Sequence, residues 1–207
     1  MSKRRRAGII GLIALLAAVL VLLDRGCASA GRRGLLATRP PSADDFAKYD
    51  GKTFAVTRVV DGDTLDIDVP DGQYEHTRIR LWGVDAPETG TGNGEPMYYG
   101  PQAGQFARES ALGKRVTVYM DQGNRTRGKY GRLLAYVELP DDSILNELLL
   151  TEGFAFADLR FRHALYHKYQ QLEASARRQQ KGLWKAATRE QLPLWLQQRK
   201  PSLLRPN

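Results

Sequence analysis

The stretch KTFAVTRVVDGDTLDIDV, residues 52–69, is the one from which the fold can be read. Two runs rich in Val, Thr, Ile and Phe, 52–60 and 64–69, flank Asp61-Gly62-Asp63, and this pattern predicts two strands meeting at a tight turn. Working outward, Pro70-Asp71-Gly72 is a second turn signal, and 77–84 reads as a third strand that ends at Asp85-Ala86-Pro87-Glu88. A Gly-rich loop follows at 89–95. Residues 101–112 have helical character, with Gly113 as the C-cap. Residues 116–120 and 133–139 read as two more strands, separated by a polar loop that carries Arg125, Arg127 and Lys129. Ser143 is placed to N-cap a short helix over 144–151, which Gly153 ends, and a long helix is expected from 163 to 180. Five early strands with about three helices predict an α+β domain, a small antiparallel five-stranded OB-fold-like β-barrel with the helices packed against it. Residues 187–207 carry no readable pattern.

The N-terminus is of another kind. Four of the 31 basic side chains, Lys3, Arg4, Arg5 and Arg6, precede a run of 17 residues, 7–23, without a polar side chain. At about 1.5 Å per residue, a helix over this run just spans a bilayer. The basic flank, 1–6, is expected to stay cytoplasmic, which places the rest of the chain on the other side of a cell membrane as a single-pass protein. A secretory signal cleaved near Ala30, at Ala28-Ser29-Ala30, is the alternative. Residues 24–50, with Gly and Pro-Pro and no periodicity, read as a linker. The one cysteine, Cys27, excludes an intramolecular disulfide, and the three histidines lack zinc spacing. His163 and His167 read as surface polar residues.

The formal charge of +8 suits a polyanionic partner. Asp61, Asp63, Asp85 and Glu88 stand at strand ends and turns. Brought together, they repel one another unless a cation neutralises them, and hard oxygen donors select Ca²⁺ or Mg²⁺. Arg80 lies in an apolar strand, on the face shared with Trp82 and Val84 if the alternation holds. Arg132 follows a glycine at the end of the basic loop. Two guanidiniums beside a divalent cation suit a phosphodiester, whose oxygens they grip in planar fashion.

Three segments, Val60 to Thr64, Arg80 to Glu88 and Lys129 to Tyr136, resemble the staphylococcal nuclease (thermonuclease) family when taken in this order. Tyr99-Gly100-Pro101 lies between them, and Gly182-Leu183-Trp184 closes the last helix. The resemblance implies a nuclease domain over 51–186, followed by a tail over 187–207. It implies that Asp63, Asp85 and the Ala86 carbonyl bind Ca²⁺ directly, with Asp61 acting through water. Glu88 would serve as general base or order the attacking water, and Arg80 and Arg132 would clamp the scissile phosphate. Lys129 and Tyr130 would touch a neighbouring phosphate. Leu159 and Phe161 occupy positions where the family offers tyrosines, so Phe161 would stack on a base without a hydroxyl to offer, and Arg160 and Arg162 are candidates for compensating phosphate contacts. The implied protein is a monomeric nuclease acting on DNA and RNA with little sequence specificity. A non-catalytic OB-fold nucleic-acid-binding module anchored at the membrane is the alternative, and a membrane-bound scaffold a third. The presence of all five charged site residues together weighs against both.

Overall fold

The computed structural model describes residues 43–90 and 94–204. The basic flank, the apolar run at 7–23, the cleavage site near Ala30, the first part of the expected linker and the middle of the Gly-rich loop lie outside these residues. Among the described residues no helix is long and apolar enough to cross a membrane.

The strands are β1 (Lys52–Val59), β2 (Thr64–Ile67), β3 (Thr77–Leu81), β4 (Val84–Asp85), β5 (Arg115–Tyr119), β6 (Leu133–Glu138) and β7 (Phe156–Ala157). The helices are α1 (Ala43–Tyr49), α2 (Gly100–Ala111), α3 (Leu145–Thr151), α4 (Tyr166–Arg178) and α5 (Leu194–Arg199), with two 3₁₀ turns at Gly182–Lys185 and Arg189–Gln191. Five strands close a barrel in the order β1-β2-β3-β6-β5, while β4 and β7 form a separate pair. The expected five-stranded barrel is present, but it is not wholly antiparallel. β3 and β6 run parallel, with Ile79 opposite Leu133, because the chain leaves β3 and returns through α2 and β5 before closing the barrel.

Period-two alternation explains the filling of the barrel. Leu65 and Ile67 of β2, Ile79 and Leu81 of β3, Val116 and Val118 of β5, and Leu133, Ala135 and Val137 of β6 are buried together. α2 lays Ala103, Ala107 and Ala111 on this core, and α3 adds Leu145 and Leu149. The opposite face of the β2–β3 ladder is polar: Asp66 takes a bidentate pair from Arg78, at 2.7 and 3.0 Å, and Thr64 stands opposite Arg80.

Several sequence expectations are revised. The third strand does not run unbroken from 77 to 84. Gly83 takes a φ of 80°, which turns the chain after Trp82 and splits the run into β3 and β4, so Arg80 does not share a continuous strand face with Trp82 and Val84. Asn146 holds this turn from α3: its amide donates to the Trp82 carbonyl at 3.0 Å, and its carbonyl accepts from Val137 N–H. Ser143 does not cap α3. Its hydroxyl bonds Asp141 instead, at 2.6 Å, and Ile144 stands at the N-cap. The linker gives way at its end to α1, whose Asp45 pairs with Arg127 and whose Tyr49 is fully buried with its hydroxyl on Thr77. A seven-residue helix is too short to show a period, and burial of Tyr49 decides it. The helices among the described residues thus number five rather than three. The tail is also structured: Leu192 and Leu196 pack with Leu183, Trp184 and Ala176 in a second apolar cluster.

His163, read as a surface residue ahead of a long helix, is buried and precedes α4. Its Nδ1 lies 3.1 Å from the Tyr136 hydroxyl, and its ring sits where a side chain on Gly83 would stand, within 2.4 Å of that position. Asp121 supports the same corner. Burial opposes its charge, but N–H groups of Ala164, Gly123 and Asn124 and the Tyr136 hydroxyl hold its carboxyl below the usual range. Burial likewise pushes the His163 imidazole below its ordinary value, against the pull of Asp121 and Asp158. The unfolded chain therefore binds a proton at His163 more readily than the folded one. Stability is expected to fall as pH drops below about 6.5, where the unfolded imidazole begins to charge, until the folded imidazole charges too. Urea unfolding of the parent and of His163→Gln across pH 7.5 to 5 checks this, the variant showing a flatter dependence over that window.

Candidate active site

The Asp61-Gly62-Asp63 turn between β1 and β2 is pressed against the segment after β4. A Cβ on Gly62 would lie 2.6 Å from that of Ala86 and 3.0 Å from that of Ala103 on α2, so only glycine lets the turn approach so closely. Asp61 Oδ1 accepts the Asp63 N–H at 3.0 Å, a bond that shapes the turn and aims Asp63 inward. There Asp63 Oδ2 accepts the Ala86 N–H at 2.7 Å, and its Oδ1 accepts the Thr64 hydroxyl at 3.0 Å.

Arg80 joins Asp63 to Asp85. Its Nη1 is 3.0 Å from Asp63 Oδ2, and its Nη2 donates to Asp85 Oδ1 at 2.6 Å. Nη1 also donates to the carbonyls of Leu81 and Val84, which fixes the guanidinium against the Trp82-Gly83 turn. The side chains of Arg80 and Asp63 are 14% and 7% exposed, so the pair is largely out of water. Burial raises the Asp63 carboxyl well above its normal range, and Asp61 and Asp85 push the same way against Arg80 and the Ala86 N–H. Glu88, further along the same loop, is raised by burial and by Asp61 and Asp85, with Arg80 and Arg132 opposing.

Arg132 enters from the start of β6. Its Nη1 is 3.5 Å from the Thr64 hydroxyl, a weak contact, and its buried Nε has no hydrogen-bond partner among the described residues. Tyr130 is 74% exposed, and the Arg132 guanidinium and the Lys129 ammonium lie 5.7 and 5.3 Å from its ring centre. Phe161 is partly exposed, stacks on Trp82 at 5.9 Å between ring centres, and has the Arg125 and Arg160 guanidiniums near its ring. Leu159 is buried in the second apolar cluster.

The structure thus brings Asp61, Asp63, Arg80, Asp85, Ala86, Glu88 and Arg132 to one end of the barrel, with Lys129, Tyr130 and Phe161 on exposed loops. Among the described residues, however, no three Asp, Glu, His or Cys side chains converge closely enough to cage an ion by themselves. Two residues join the site that the sequence did not assign to it. Arg160, considered only as a phosphate contact, pairs with Asp158 at 2.9 Å and with Asp85 Oδ1 at 2.8 Å. Trp195, from the tail, donates its indole N–H to Asp85 Oδ2 at 2.8 Å. No local spacing signals Trp195, because it lies 110 residues from its partner.

The family profile described as staphylococcal nuclease homologue matches residues 78–186, a span that carries Arg80, Asp85, Glu88 and Arg132. The chain belongs to the staphylococcal nuclease family. A thermonuclease of Staphylococcus hyicus is 31% identical over 175 residues, 84% of this chain and 95% of that protein. A thermonuclease of Staphylococcus intermedius is 38% identical over 135 residues, 65% of this chain and 77% of the other. An uncharacterized endonuclease of Escherichia coli O157:H7 is 33% identical over 147 residues, 68% and 81% of the two chains. Within this member of the staphylococcal nuclease family, Asp61 and Asp63 precede the profile match and reach the site through the β2–β3 ladder.

Replacing Arg80 by Met keeps the stem but leaves the buried Asp63 carboxylate without its cation, while Asp85 keeps Arg160. In chelator at pH 7 this variant is expected to lose about 3 kcal/mol in urea unfolding, the usual cost of breaking a buried pair. The loss should shrink as pH falls, because burial raises the Asp63 carboxyl and its protonation relieves the repulsion.

Proposed function

We propose that the chain is a divalent-cation-dependent nuclease that hydrolyses phosphodiester bonds in DNA and RNA with little sequence specificity. The observation that carries this reading is the convergence of Arg80 and Arg132 beside Asp63, Asp85 and Glu88, in a chain whose relatives include proteins named thermonuclease and endonuclease.

The oxygen donors fit a hard cation. A carboxylate accepts at about four positions. Asp63 uses one on Thr64 and two on Ala86 and Arg80, and Asp85 uses two on Arg80 and Arg160 and one on Trp195, so each keeps a position for an ion. The raised Asp63 carboxyl has the same sense, because crowded buried carboxylates favour a counter-charge. Asp63, Asp85 and the Ala86 carbonyl would hold the ion, Asp61 would act through water, and oxygen ligands of this kind suit Ca²⁺. Bound there, the ion neutralises negative charge on the phosphate.

This chain's own groups supply the rest. Among the described residues Arg80 spends Nη1 and part of Nη2 on the fold, which leaves Nε and one Nη2 hydrogen for a phosphate oxygen. Arg132, with its Nε unpaired, offers a second set of donors in a desolvated setting, where charge-assisted bonds are strongest. Glu88 accepts a proton from the attacking water as the new P–O bond forms and the bond to the leaving oxygen breaks, and solvent returns a proton to that oxygen. Lys129 and Tyr130 contact a neighbouring phosphate, and the exposed face of Phe161 stacks on a base. Contacts of this kind carry no sequence information, so specificity is low.

With Ca²⁺ present, the full chain is expected to cleave denatured DNA and RNA and to stop in chelator. Glu88→Ala and Arg132→Ala are each expected to lose about 10³-fold in kcat, some 4 kcal/mol of transition-state stabilisation. Retained DNA binding without cleavage under any metal would instead establish the non-catalytic binding module.

We also propose that the apolar run at 7–23 anchors the nuclease domain outside the cytoplasm in a cell membrane. After alkaline carbonate washing, the full-length chain is expected in the membrane pellet, as an intact band on immunoblot. A soluble form beginning after Ala30 would establish secretion instead.

A further inference from the structure

A pocket of about 220 Å³ is lined by Asp85 and Glu88 of the site itself together with Met97, Phe156, Arg160, Pro193 and Trp195. Lys129, Tyr130, Arg132 and Phe161 do not line it. It is therefore separate from the surface to which the neighbouring phosphate was assigned above. Two of its walls come from the tail, and they are fixed. Leu192 and Leu196 on either side of Pro193 and Trp195 are buried in the second apolar cluster, and Lys200 bonds the fully buried Glu173 at 3.1 Å.

The chemistry of the pocket selects its occupant. The lining is mixed, with Met97, Phe156, Pro193 and Trp195 apolar or aromatic and Asp85, Glu88 and Arg160 charged, and the volume falls below the roughly 300–1,000 Å³ of sites for drug-sized ligands, so a single ring system is the scale of ligand that fits. Asp85 and Glu88, assigned above to the ion and the attacking water, line the same pocket, so it adjoins the scissile phosphate. A neutral heterocycle suits the apolar remainder of the lining. Arg160 offers the matching group outside. Its Nε and Nη2 are spent on Asp158 and Asp85, while Nη1 has no hydrogen-bond partner among the described residues and is free for a sugar or phosphate oxygen at the edge. The Arg160 guanidinium also lies 4.8 Å from the centre of the Trp195 ring, so one residue of the tail and one of the domain form a single wall.

We propose that this pocket is a nucleobase subsite, with Trp195 as its stacking wall, for the nucleotide on one side of the cleaved linkage. The proposal rests on the nuclease reading above. A strand crossing the site then places one base on Phe161 and another against Trp195 and Pro193, with the scissile phosphate between them at Arg80 and Arg132. The subsite accepts any base that presents a ring face, and it favours single strands, because a paired base cannot enter.

The test uses the full chain, short single-stranded oligonucleotides with an abasic tetrahydrofuran unit on either side of one cleavable linkage, and calorimetric titration with a nucleoside monophosphate. In the parent protein both abasic replacements are expected to lower kcat/KM roughly tenfold, the scale of one stacked base, one by removing the base on Phe161 and the other by removing the base on Trp195. In Trp195→Ala the latter replacement should change kcat/KM less than twofold. Trp195→Phe, which keeps a ring but loses the N–H to Asp85, should retain the base-dependent factor, and Met97→Ala, altering another wall, should reduce it even if Trp195→Ala does not fold. An equal loss in Trp195→Ala on intact and abasic substrates would overturn the proposal and leave Trp195 as a support for Asp85 alone. So would equal rates of the parent on all substrates. If the parent cleaves nothing, the nuclease reading fails, and the titration still decides the pocket: monophosphate binding weakened roughly tenfold by Trp195→Ala supports it, and no binding to the parent overturns it.

Discussion

Asp63 comes from the turn before β2 and Asp85 from β4, Asp63 is buried and Asp85 half-buried, and each would repel the other at the distance the fold imposes. Arg80 makes that arrangement possible. Its guanidinium lies between them, and its remaining Nη1 bonds go to the carbonyls of Leu81 and Val84. A lysine would place a single charge there and could not bond two carboxylates and two carbonyls from a planar fork. This set of bonds braces the Trp82-Gly83 turn, which the positive φ of Gly83 makes, and joins it to the start of the loop carrying Ala86 and Glu88. The geometry costs stability, since burial and like charge hold the Asp63 carboxyl well above its usual range. That cost is the mark of a site kept ready for a counter-charge.

Close approach supplies the second constraint. The barrel brings β2 beside β3, but the aspartate turn reaches Ala86 only because Gly62 lacks a side chain. A small residue at 86 belongs to the same fit, because its Cβ is what a larger residue at 62 would strike. On the other flank, buried Asn146 ties α3 to β6 and to the Trp82 carbonyl, and His163 fills the space beside Gly83. The site therefore sits on elements locked by the core while its proposed substrate contacts, Lys129, Tyr130 and Phe161, stand on exposed loops. Rigid support under exposed contacts suits a reaction that needs a fixed phosphate and tolerates varied bases.

The tail gives the molecule an edge that its barrel lacks. Packing of Leu192 and Leu196 against Trp184 carries Trp195 to Asp85, so Asp85 is held from three directions, by Arg80, Arg160 and the indole. Three donors on one carboxylate restrict its rotation, which favours a defined position for whatever it binds. The same packing sets Pro193 and Trp195 beside Asp85 and Glu88 in one pocket.

The sequence by itself determined the local elements and the chemical inventory. Alternation of Val, Thr and Ile marked the strands, Asp61-Gly62-Asp63 marked the turn, and the order of three short segments marked the staphylococcal nuclease family, because these signals are carried by neighbours along the chain. Only the tertiary structure decided what depends on distant partners. Barrel closure through the parallel β3–β6 pair required the path of α2 and β5. α1 emerged from a stretch read as linker because Tyr49 and Asp45 find Thr77 and Arg127 across the fold. His163 became a buried residue because Gly83 leaves room for its ring. Arg160 and Trp195 joined the site through contacts that span 75 and 110 residues. Periodicity and turn chemistry act over a few residues, whereas burial and charge pairing are settled only when the chain has closed on itself.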